Sequence, residues 1–120
     1  MALTGSIVSP DGTEHVGVFA LCYPLTLQVL PEGVVVAVDV HAWRSHQAHL
    51  GGLAELQGYP VTVELTGDDA EQAIGEAVSG LTAAQWSGDP AIDTPAAVHT
   101  VVGVIEDAVI AQRPEFSRAP

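Results

Sequence analysis

From His15 to Trp43 the chain is almost wholly apolar, and its main interruption is the turn-forming run Pro31-Glu32-Gly33. A block of that length with turn residues in its middle folds back on itself as two long β-strands. Along the second strand Val34, Val36, Val38, Val40 and Ala42 project to one side, and Val35, Ala37, Asp39, His41 and Trp43 to the other. Both sides are largely apolar, so the sheet has more to bury than one covering layer removes, and the edge of this long, lysine-free strand invites a neighbouring subunit. Pro24 interrupts the first strand because it has no amide hydrogen for the ladder. Two shorter strands are therefore expected, Val16 to Tyr23 and Leu25 to Leu30, with a bulge or an edge position between them.

The remaining elements follow from local signals. Leu3 to Val8 reads as a short strand that stops at the turn Ser9-Pro10-Asp11-Gly12. Ser45 to Tyr59 reads as a long loop with one helical turn around Leu53 to Leu56, and loops of this length are commonly functional. Val61, Val63 and Leu65 alternate with Thr62 and Glu64 as a strand does. Asp68 and Asp69 mark a helix start, followed by a stripe of Ala70, Ala73, Ile74, Ala77, Val78 and Leu81. A second helix is expected from Pro95, capped by Thr94, to about Gln112. Its apolar face is Val98, Val101, Val102, Ile105, Ala108 and Val109, with Glu106 and Asp107 solvated. Strands first and helices last predict a single α+β domain over residues 1–120: an antiparallel β-sheet of hairpins in the N-terminal two-thirds with two C-terminal helices packed on it.

Charge narrows the classes of partner. Fifteen acidic residues face three arginines, Arg44, Arg113 and Arg118, with no lysine, for a net charge of −12. Such a chain repels phosphate backbones and anionic lipid, which argues against direct nucleic-acid binding and against a membrane surface. The acidity suits basic partners, divalent cations, a saline setting or a surface past which DNA must slide. No basic segment followed by a long apolar one opens the chain, and the apolar strands are too short and too interrupted to span a bilayer. Cys22 is the lone cysteine, so no intrachain disulfide forms, and its apolar neighbours predict a buried, inert thiol.

Chemistry-bearing residues are sparse. Asp39, His41, His46 and His49 can be drawn as a metal-ligand set, with solvated or locally bonded histidines as the simpler reading. Ser45 and His46 are neighbours and cannot share a proton across a strand, so no triad forms there. The acid pairs Asp68-Asp69 and Glu106-Asp107 read as helix capping and solvated surface, and Gly51-Gly52 lacks the lysine of a phosphate loop. Trp43, Trp86 and Phe116 are the candidate contact anchors. No cofactor and no enzymatic activity are implied.

Two terminal segments carry a resemblance. Met1-Ala2-Leu3-Thr4 leading into a short strand, the β-hairpins, and a terminal helix followed by Pro114-Glu115-Phe116 resemble the small structural proteins of tailed bacteriophages. The resemblance implies a non-enzymatic virion component present in many copies, on the capsid surface or in the neck or tail. Its partners would be copies of itself and other virion proteins, and it would be assembled into the virion in the host cytoplasm. The alternative, from the residues themselves, is a small-ligand or metal-binding module using the histidine-rich segment 39–49.

Overall fold

A computed structural model describes residues 2–119. The first four strands are β1 (Leu3–Val8), β2 (Glu14–Val16), β3 (Phe19–Leu30) and β4 (Gly33–Trp43). A short helix α1 (His46–Leu50) and strand β5 (Val61–Leu65) precede the long helices α2 (Gly67–Ala83) and α3 (Pro90–Gln112), and β6 (Phe116–Arg118) ends the fold. The strands form one antiparallel sheet in the order β2-β1-β3-β4-β5, with β6 also pairing β1. The two long helices pack on it, giving the α+β class that the order of elements predicts.

The centre of the sheet is the β3–β4 hairpin, closed at Leu30 opposite Gly33. Pro24 does not split β3. Between the pairs Cys22↔Val40 and Leu25↔Val38 the strand carries two residues, Tyr23 and Pro24, against the single Asp39. This bulge takes the proline out of the ladder, and pairing resumes on either side, so one bent strand replaces the two expected. A second one-residue shift separates Ser6↔Val16 from Leu3↔Ala20, where Gly17 has φ 71° and turns β2 into β3.

The core lies on one face of this sheet. Leu3, Ile7, Ala20, Val36, Val38, Val40, Val63 and Leu65 meet Ala70 and Ala73 of α2, Ile105 and Val109 of α3, and Phe116 of β6. The alanines let α2 lie close to β4, while Asp68 and Asp69 sit in its first turn as expected. α2 runs through Gly80, which packs so near α3 that a Cβ there would meet the Thr100 methyl at 2.8 Å.

Helix α3 starts earlier than Thr94-Pro95 suggests. The same cap-then-proline signal occurs at Asp89-Pro90, where the Asp89 carboxylate accepts from the Ala91 amide, and the helix begins at the first of the two. Thr94 and Pro95 consequently lie inside it. By length and composition α3 could cross a bilayer. Here its last turns rest on the sheet through Ile105 and Val109.

Two further segments depart from the sequence reading. The tail pairs as β6 with β1, which encloses Phe116. Glu106, expected in solvent, is 1% exposed, because Arg118 of β6 reaches back to it with Nη1 2.8 Å from Oε1. Asp107 stays open to solvent and accepts from the same guanidinium.

Candidate assembly surface

The face of β3 that builds the core also runs out beyond it. By register Leu25, Leu27 and Val29 share the side of Val38, Val36 and Val34, yet every residue from Tyr23 to Leu30 is exposed. Leu27 is 61% and Val29 79% exposed, because the helices do not extend over this half of the hairpin. The lateral edge is open as well. β1 pairs β3 only at Leu3↔Ala20, and among the described residues no strand pairs the outer edge of the remainder of β3. Contrary to expectation the open edge therefore belongs to the first long strand. β4 is interior, held between β3 and β5.

The helical hairpin shows the same pattern. Its buried residues, Ala70, Ala73, Ile105, Glu106 and Val109, lie in the early turns of α2 and the late turns of α3. At the opposite end Val78, Trp86, Ile92 and Val98 are exposed. Trp86 is held in place there, its indole N–H donating to the Leu81 carbonyl at 3.0 Å. The loop is tied by Asp93, which accepts from the Ser87 amide and hydroxyl and from the Gly88 amide. The Ser87 amide bond is the largest reason that this carboxyl sits below its ordinary pKa.

The other two expected anchors are internal. Trp43 is buried, with its indole N–H donating to the Leu53 carbonyl at 3.1 Å, and Phe116 is a core residue at 1% exposure. Neither offers its ring to a partner. Both lie where the chain closes on itself: Trp43 under the segment that follows β4, Phe116 under the tail.

The histidines do not converge. His41 has Nδ1 2.9 Å from Glu55 Oε2 and Nε2 2.7 Å from the Tyr23 carbonyl oxygen, and its ring stacks on Tyr23 at 4.1 Å. Asp39 instead accepts from the Thr62 hydroxyl. His46 and His49 sit on α1, which forms because the Ser45 hydroxyl accepts from the Ala48 amide; this places helix at 46–50 where a loop was expected, and leaves 53–56 without it. Their rings stack on Phe19 at 4.4 and 5.2 Å. Among the described residues no group of three or more His, Cys, Asp or Glu is placed to hold a metal ion. The three histidine rings instead cover the second face of the sheet beside Phe19, Tyr23 and Trp43. Glu55, which no motif announces, ties this cover down by also accepting from the Ala42 amide.

Cys22, expected to be buried, is partly buried against the core. Burial, reinforced by the charge of Glu106, pushes its thiol up to about 11, so it stays protonated near neutral pH. Two shallow grooves of about 380 and 530 Å³ flank the helices and the N-terminal strand. The first is rimmed by the carboxylates of Asp69, Glu76 and Asp107. Comparison with known proteins adds no identity: no family model, no curated protein and no solved structure matches the chain.

Proposed function

We propose that this chain is a non-enzymatic structural subunit of a tailed-bacteriophage virion, assembled in many copies on the capsid surface or in the neck or tail. The observation that carries the reading is the apolar surface left open at the ends of both hairpins. Single exposed leucines are ordinary, but Leu25, Leu27 and Val29 in a row along an open strand edge are a liability to a lone monomer. Each large aliphatic side chain removed from water contributes about 1.5–3 kcal/mol, so covering this strip in an assembly is favourable. The virion assignment rests on the resemblance at the chain ends. The two segments that carry it, Leu3-Thr4 and Glu115-Phe116, lie side by side in the fold, with Leu3↔Arg118, Thr4↔Ser117 and Gly5↔Phe116 paired.

Light scattering after size exclusion, over a range of protein concentrations, tests the assembly. A mass that is a multiple of 12.4 kDa, or that rises with concentration, is expected. A constant 12.4 kDa would remove self-association from the reading. Peptide mass spectrometry of purified virions tests the location: the chain is expected among the structural proteins, and its absence from particles whose host lysate contains it would overturn the virion assignment.

A further inference from the structure

We infer that two copies of this chain join edge to edge through β3, antiparallel across a two-fold axis beside Leu27, making one continuous sheet. The inference rests on the self-assembly reading above and names its contact. Charge argues for a second copy as the occupant. The chain carries −12, so copies repel wherever acidic surfaces meet, yet no residue from Val16 to Pro31 is charged. Among the strands that reach the edge of the sheet, β3 offers a long exposed run, Tyr23 to Leu30, along which two copies can approach without opposing carboxylates.

The register follows from the proline positions. Pro24 cannot donate to a new ladder, and Pro31-Glu32 form the turn, so the pairable edge is bounded at both ends. Symmetric antiparallel pairing places residues of the same pleat opposite each other, so the axis must pass beside a residue. Centred on Leu27, the ladder sets Leu27 against Leu27 of the second copy and Leu25 against Val29, and leaves Pro24 at its end. The axis stands perpendicular to the sheet, so both sets of helices lie on the same side. The exposed leucine strips of the two copies then face one another in the gap between the helical layers. Cross-strand aliphatic contact replaces water there, and the outward backbone groups of both strands find partners.

The test uses the full chain. In a Cys22→Ala background, Leu27→Cys is expected to form a disulfide-linked dimer on air oxidation, because directly opposed residues in an antiparallel ladder have Cα atoms roughly 4.5–5.5 Å apart, inside the Cα separation that a disulfide spans. Ile92→Cys, exposed on the helical hairpin, is expected to stay uncrosslinked. Leu27→Lys in the parent chain is expected to return the light-scattering mass to that of a monomer, with the circular-dichroism melt retained because position 27 is outside the core. If the parent chain associates but Leu27→Lys associates equally and Leu27→Cys fails to crosslink, edge pairing is overturned while self-assembly stands. If the parent chain is a monomer at every concentration, both fall, and the edge is left for a strand from another protein.

Discussion

Arg118 and Glu106 show how one tail residue changes the character of a helix. The Glu106 carboxylate is enclosed by the fold, and Arg118 meets it while also donating to the Gly103 carbonyl at 2.9 Å and to Asp107 at 2.6 Å. The bond to Asp107 first, and that to Glu106 second, raise the pKa of the guanidinium above its ordinary value, so it is charged at any pH at which the protein folds. Arg118→Leu is expected to destabilise the fold by about 2 kcal/mol, less than a fully enclosed pair because the guanidinium is half open to water. Adding Glu106→Leu should recover most of that loss, as urea denaturation of the single and double variants would reveal. A double variant no more stable than Arg118→Leu would show that the enclosed carboxylate is not what the arginine compensates. The sequence could not announce this pair, since its partners lie on a helix and on a short strand with no shared motif. The surroundings of Cys22 were legible in part: apolar neighbours on both sides imply burial, and the side chain is partly buried against the core.

Among the elements, those with a strong period were legible and those set by competition between signals were not. The alternation in β4 and β5 marks their faces, and the stripe on α2 places that helix, although only its Ala70 and Ala73 are buried while Ile74 and Val78 stay exposed. The start of α3 depended on which of two aspartate- or threonine-proline signals prevailed, and α1 depended on a single serine cap. Close approach of α2 and α3 is likewise invisible in sequence. At Gly80 of α2 the Thr100 methyl occupies the space a side chain would need. Gly80→Ala is therefore expected to destabilise the parent chain by overpacking. With Thr100→Ser in place the same change should instead stabilise by about 0.5–1 kcal/mol, the ordinary gain of alanine over glycine within a helix. Thermal melts of the four members of that cycle would check the change of sign; additive effects would show that the two positions do not touch in solution.

For the whole molecule, a charge of −12 and an uncharged β3 act against each other. Repulsion between copies is long-ranged and screened by salt, whereas the aliphatic strip acts only on contact. Raising ionic strength from tens of millimolar to about 0.5 M is therefore expected to strengthen association, measurable as a larger sedimentation-equilibrium mass at fixed concentration. Weakening with salt would point instead to ion pairs across the contact. The overall layering was legible from the order of strands and helices, but the location of the open edge was not, because it depends on β5 pairing with β4 and on β1 touching β3 at one position. The pairing of β1 with β6 has a consequence for the order of folding. The two strands stand far apart in the sequence, and joining Leu3 to Arg118 closes a loop that contains the long hairpin and both long helices. This corner of the core, with Leu3 and Phe116 in it, is therefore expected to close late in refolding, after the local β3–β4 hairpin has formed.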